Sequence, residues 1–232
     1  MSVLAIITAR GGSKRIPKKN IKEFLGKPII AYSIEAALGS GVFDEVMVST
    51  DSDEIADVAR RFGATVPFMR GSETSNDFAT TADVILEVLG EYEKRGRSFD
   101  SFMCIYPTAP FITSDKIKDA FSAFDENKAD SLVPVVRFGF PPQRGFLCKD
   151  GLISYQYPEY AFARSQDLEP IYHDCGQFYI CDTDRFKEKR SLVMDRTVPF
   201  VIPETEVQDI DNETDWIIAE EKYRSLHGKV QG

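Results

Sequence analysis

Apolar positions along the chain follow two rhythms that take turns. Residues 3–8, 45–50, 101–106 and 131–136 are short runs rich in Val, Ile, Leu and Phe, the pattern of strands buried on both faces. Between them apolar residues recur every three or four positions. Pro28 at a first helical position precedes Ile30, Ile34 and Ala37; Ile55, Val58, Ala59 and Phe62 form a second stripe, and Val84, Ile85, Val88, Leu89 and Tyr92 a third. A fourth helix is expected from Thr113 or Ser114 as cap, with Ile117, Phe121 and Phe124 on one face, and a last one over 213–226 with Trp216, Ala219, Tyr223 and Leu226. Strand and helix in alternation predict one α/β domain over 1–232, a three-layer α/β/α, Rossmann-like fold around a mostly parallel sheet.

The alternation fails over residues 137–172. Phe138, Phe140, Pro141, Pro142 and Phe146 cluster there, followed by Tyr155, Tyr157, Tyr160 and Phe162. A linker would be polar, so this is read as a small aromatic extension embedded in the domain, covered either by a second subunit or by closing over a substrate as a lid.

Charge places the chemistry. The chain carries a formal net charge of −9, yet Arg10, Lys14, Arg15, Lys18 and Lys19 crowd the segment after the first strand, where Gly11-Gly12-Ser13 frees the backbone to turn its N–H groups toward a ligand. One basic loop on an acidic chain points to a small anion and away from nucleic acid. The spacing is neither a Walker loop nor Gly-x-Gly-x-x-Gly, which disfavours an NTPase or a dinucleotide enzyme. In a parallel sheet the ligand lies outside the carboxyl ends of the strands, where this loop, Asp51 and the Tyr106–Pro110 turn would converge. No apolar run reaches membrane-spanning length, and a cytoplasmic protein is expected. Cys104, Cys148, Cys175 and Cys181 show no Cys-x-x-Cys spacing and read as reduced thiols; a nucleophilic pairing of Cys175 with His173 is weighed and set aside.

Before the last helix stands Asp209-Ile210-Asp211. An extended Asp-x-Asp puts both carboxylates on one side, which suits a hard cation carried by a triphosphate; alternatively Asp211 or Asn212 caps the helix. A basic cradle together with an acidic pair describes nucleotidyl or phosphoryl transfer.

Taken together, Ala9-Arg10-Gly11-Gly12-Ser13-Lys14, Pro17-Lys18-Lys19-Asn20, Val48-Ser49-Thr50-Asp51, Pro107-Thr108-Ala109-Pro110 and Asp209-Ile210-Asp211 resemble the cytidylyltransferases that activate nonulosonic, sialic-type acids. The resemblance spans essentially the whole chain. Residues 105–111 and 172–179 are most similar to the members acting on pseudaminic acid. What it implies is transfer of CMP from CTP to the sugar acid, with pyrophosphate released, Mg²⁺ as cofactor and a homodimer. Ala9, Arg10, Gly11, Gly12, Ser13, Lys19 and Asn20 would hold the triphosphate, with Arg10, Lys19 and Asp211 catalytic; Arg70, Asp77, Thr80 and Thr81 would line the cytosine side. Tyr106, Arg164, His173, Gln177 and Tyr179 would face the sugar, Arg164 against its carboxylate, and Asp209 and Asp211 would carry the metal. By its own sequence setting, between Tyr172 and Asp174, His173 reads first as structural, with a sugar contact as the alternative. Tyr106 stands where sialic acid synthetases commonly have Gln, Arg15 where they often have Gly, and Thr108 where the related 3-deoxy-manno-octulosonate enzymes have Asp. The same-class alternatives are N-acetylneuraminate and legionaminate as acceptor; the distant one is a non-catalytic CTP-binding module.

Overall fold

The computed structural model describes residues 1–228. The chain opens with β1 (Val3–Thr8), a small ribbon of β2 (Glu23–Phe24) and β3 (Lys27–Pro28), and α1 (Ile29–Ser40). There follow β4 (Glu45–Ser49), α2 (Asp53–Arg61), the single turn α3 (Ser72–Ser75), α4 (Thr81–Lys94), β5 (Ser101–Ile105), α5 (Ser114–Glu126) and β6 (Ser131–Arg137). After the hairpin β7 (Phe146–Lys149) and β8 (Leu152–Tyr155) come β9 (Tyr172–Asp174), β10 (Phe178–Asp182), α6 (Thr183–Lys189), β11 (Thr197–Val201) and α7 (Glu213–His227).

The central sheet runs β11-β6-β10-β5-β1-β4, with β9 also paired to β6. β1 is parallel to β4 and β5, and β11 to β6, so the sheet is mostly parallel. β9 and β10 are the exceptions, β10 inserted antiparallel between β5 and β6 and β9 antiparallel to β6. Alternation along β1 divides the core: Val3, Ala5 and Ile7 pack with α1, α2 and α5, while Leu4 and Ile6 pack with α4 and α6 on the opposite face. The sheet is thus sandwiched between two helical layers, as the pattern predicted.

Local signals decide most boundaries. Thr80 caps α4 with a reciprocal bond from Asp83, and Thr113 caps α5 by accepting the Lys116 N–H. Pro28 departs from its predicted place: it pairs with Glu23 in the β2–β3 ribbon and stays extended, so α1 begins at Ile29. On α7, Trp216 and Ala219 are buried and Tyr223 half-buried, but Leu226 is exposed. Asn212, not Asp211, is the cap of α7, in a capping box with Asp215.

Two features bear on the site. β9 and β10 are one reversed strand broken at Cys175-Gly176-Gln177, where Gly176 adopts φ +58° and the register against β6 slips. The extension between β6 and β9 carries the β7–β8 hairpin, turned at Asp150-Gly151 with both residues at positive φ. Seven of the eight hairpin residues are exposed and none is buried. A third apolar cluster, Ile16, Phe24, Ile29, Tyr32, Phe111, Ile210, Trp216 and Ala219, clamps α7 beneath the basic loop. Through Ile16 and Ile210 it seats that loop beside the Asp209–Asp211 segment.

Candidate active site

A cleft of about 470 Å³ opens at the carboxyl ends of β1, β4 and β5. The basic loop forms one wall, and its shape is set by the backbone. The Ala9 N–H donates to the Ser49 carbonyl at 2.9 Å, the Gly11 N–H to the Asp51 carboxylate at 2.7 Å, and the buried Asn20 amide to the Arg10 carbonyl at 2.9 Å. Gly11 is needed for this approach: a Cβ there would lie 3.1 Å from the Ser52 Cβ, whereas one on Gly12 would meet nothing. Asn20 therefore shapes the loop as well as lining the cleft.

Arg10, Lys14, Arg15 and Lys19 all reach the cleft. Arg10 pairs with Asp77 at 2.8 Å and also donates to the Asn76 carbonyl; Lys14 pairs with Asp77 too. Arg15 sits 2.9 Å from Asp211. Lys19 donates to the Ile210 carbonyl at 2.7 Å and lies 3.9 Å from the Asp211 carboxylate. Burial lowers the Lys19 pKa, with the charges of Asp211 and Asp209 opposing the shift. Beneath them Arg70 is buried, its guanidinium donating to the Ser49 hydroxyl at 2.9 Å and the Ser49 carbonyl at 2.6 Å. The uncharged part of the lining comes from the cap Thr80 and from Thr81 and Val84 of α4, with Tyr106, Pro107 and Thr108; the Thr81 and Tyr106 hydroxyls are 3.0 Å apart. One anionic ligand end and one uncharged end can be accommodated together.

Residues 4–143 match a family model described as cytidylyltransferase. A pseudaminic acid cytidylyltransferase of Campylobacter jejuni is 40% identical over 228 residues, covering 98% of each chain. A CMP-N,N'-diacetyllegionaminic acid synthase of Legionella pneumophila is 34% identical over 229 residues, covering 95% of each. Among solved structures, a CMP:2-keto-3-deoxy-manno-octonic acid synthetase complexed with CTP aligns at TM-score 0.70 over 99% of both chains with 17% identity, a likeness of fold. This chain belongs to the cytidylyltransferase family. It is a nucleotidyltransferase by that membership.

For a cytidylyltransferase the distribution of the expected residues is uneven. Arg10, Ser13, Lys19, Asn20, Arg70, Asp77, Thr80, Thr81, Tyr106 and Asp211 share the one cleft, with Ala9, Gly11 and Gly12 in the loop backbone behind it. Arg164 is elsewhere, exposed on the extension and paired with Asp167 at 2.6 Å. His173 packs on Phe138 at 4.6 Å and opens on a second cavity of about 550 Å³ shared with Asp174, Asp209 and Lys222. Gln177 is buried, its amide on the Glu206 carbonyl at 2.7 Å, and Tyr179 stands behind Tyr106 with its hydroxyl on Asp174 at 2.6 Å. Cys175 is buried and its thiol pushed up to about 12 while His173 is exposed, so the two form no nucleophilic pair.

Asp209 and Asp211 divide between the two cavities, Asp211 facing the cleft. Burial and the like charge of Asp211 push the Asp209 carboxyl up. Among the described residues no three His, Cys, Asp or Glu side chains converge on a metal position. The two carboxylates do not present one shared side as the Asp-x-Asp spacing predicted: Asp211 alone reaches the cleft, where Arg15 and Lys19 already face it, and a Mg²⁺ shared by the pair would need Asp209 to turn toward the phosphates, with its other ligands on phosphate and water. The sequence reading missed Asn76, whose side-chain oxygen accepts from the Phe78 and Ala79 N–H groups at 2.8 and 3.0 Å and shapes the loop that brings Asp77 to Arg10. Ser-Asn-Asp between two helices was the available signal.

Proposed function

We propose that this cytidylyltransferase moves CMP from CTP to the anomeric hydroxyl of a nonulosonic acid, pseudaminic acid, with release of pyrophosphate. The observation that carries the reading is a single cleft at the carboxyl edge of the sheet that gathers Arg10, Lys14, Arg15 and Lys19 with the hydroxyl groups of Thr80, Thr81, Tyr106 and Thr108 and with Asp211. The greater identity to a pseudaminic acid enzyme than to a legionaminic acid enzyme favours the acceptor.

Arg10 and Lys19 bind the triphosphate and neutralise charge as pyrophosphate leaves, interactions that strengthen toward the transition state. Arg70, fixed from behind by Ser49, and Thr80 and Thr81 position the cytidine end so that the hydroxyl meets the α-phosphorus in line. Asp209 and Asp211 would hold Mg²⁺, which when bound polarises the phosphate oxygens. Tyr106 bounds the acceptor side.

Arg164 and His173 lie outside the cleft of their own chain, and a homodimer gives the Arg164 assignment a route, because the extension that bears it projects from the core. Leu152 and Ile153 on the hairpin are 75% and 67% exposed and Phe162 fully so, an apolar face that a second copy would cover. Four unpaired cysteines suit a reducing, cytoplasmic setting, and among the described residues no helix is long and apolar enough to cross a membrane.

The test is a panel of acids with CTP and Mg²⁺. Pseudaminic acid is expected to give a kcat/KM far above that of N-acetylneuraminic or legionaminic acid. Equal values would reassign the acceptor, and CTP binding without turnover of any acid would favour the binding-module alternative.

A further inference from the structure

The segment that delivers Asp209 and Asp211, residues 204–211, pairs with no strand. Beyond one short turn, Glu204–Glu206, it is held through four of its carbonyls, which accept from side chains of three separate elements. Lys222 on α7 donates its Nζ to the Val207 carbonyl at 2.7 Å and to the Glu204 carbonyl at 3.3 Å. Gln177, at the break before β10, donates Nε2 to the Glu206 carbonyl at 2.7 Å, and Lys19 holds the Ile210 carbonyl. At the far end the Asp215 carboxylate accepts the Asp211 N–H at 2.9 Å.

Lys19 belongs to the cleft already described; Lys222 and Gln177 do not line it. The Gln177 Oε1 is buried without a partner, a desolvation cost that an apolar side chain would avoid, so the bond to Glu206 is the amide's one polar service. Lys222 is half-buried and spends a charged donor on two neutral carbonyls two turns of helix beyond Trp216, which anchors α7 independently. Removing its ammonium leaves that anchor untouched and frees the backbone of 204–207. A carboxylate that must meet a cation within a fraction of an ångström is sensitive to such freedom.

We propose that Lys222, assisted by Gln177, is a positioning residue that fixes the 204–207 backbone and thereby sets where Asp209 and Asp211 present their carboxylates. The proposal rests on the reading above, in which those carboxylates serve a nucleotide-bound dication. It assigns Gln177 a role behind the acidic pair in place of a contact to the sugar.

Lys222→Met keeps the aliphatic stem and removes the donor. With the full chain and Mn²⁺ as probe, titrated by electron paramagnetic resonance in the presence of CTP, the variant is expected to raise the Mn²⁺ dissociation constant about tenfold or more, the usual cost of losing a group that orients a metal ligand. Its Tm and its CTP affinity in EDTA should match the wild type, and Lys222→Arg should recover most of the loss. Unchanged Mn²⁺ affinity in folded Lys222→Met, or an equal fall in CTP affinity in EDTA, would overturn the proposal. If Lys222→Met does not fold, Gln177→Met decides by the same titration, unchanged Mn²⁺ affinity again overturning it. A wild type that binds CTP but no Mn²⁺ would overturn the metal reading itself and the proposal with it, whereas the variants alone overturn only the proposal.

Discussion

Arg10 and Lys19 are held by different partners but offer the ligand the same kind of charged contact. Arg10 is paired with the exposed Asp77, while Lys19 is braced by the Ile210 carbonyl. Arg10→Ala and Lys19→Ala are each expected to lose about ten- to a hundred-fold in turnover, the loss of one charge-assisted contact of roughly 1.5–3 kcal/mol, with circular dichroism unchanged. Wild-type pyrophosphate release in both would remove them from the site. Asp211→Asn should abolish Mg²⁺-dependent turnover without lowering Tm, because the helix cap belongs to Asn212. Asp209→Asn should do less damage to turnover and should raise Tm at pH 7. Its carboxyl has a folded-state pKa above the ordinary value, so the contribution to stability is present below that ordinary value and lost as pH rises through the raised one. The Tm advantage of the Asn variant should therefore vanish near pH 3, and thermal scans at the two pH values check it. At this scale the basic loop and the acidic pair were readable because charge and glycine cluster locally. Gln177 and His173 were not, since the slip at Gly176, which decides where each points, depends on how β9 and β10 both pair with β6.

Among the elements, strands β1, β4, β5 and β6 were legible from their apolar runs to within a residue, and helices α1, α2, α4, α5 and α7 from their apolar stripes, because each buries a continuous face, α7 in the cluster beneath the basic loop and the others in the sheet and its two helical layers. β10 was not among the strands read from the sequence, and nothing local tells its direction; the reversal follows from the connection through the extension. The hairpin β7–β8 was hidden by its lack of alternation, since neither face is buried in one chain, although Asp150-Gly151 marked the turn. The loop between β1 and β2 offers an element-level check. Gly11→Ala must push back Ser52 and is expected to lower Tm and weaken CTP binding, while Gly12→Ala should leave Tm unchanged. Equal Tm values would show that the approach of Gly11 to Ser52 is not what shapes the loop.

As a whole, the molecule presents an uncovered apolar hairpin at one end of a well-packed sheet. An isolated two-stranded hairpin is marginal in water, which makes a second copy the economical way to stabilise this one. Ile153→Glu is expected to convert a dimer to a monomer of 26.1 kDa by light scattering, and a wild type that is already monomeric would turn the extension into a lid. ³¹P NMR of CTP, Mg²⁺ and pseudaminic acid with the enzyme should show the α-phosphorus appear as the phosphodiester of a CMP-sugar acid, with one pyrophosphate for each and neither formed when the acid is left out. Release of CMP or CDP without transfer to the acid would contradict the proposed reaction.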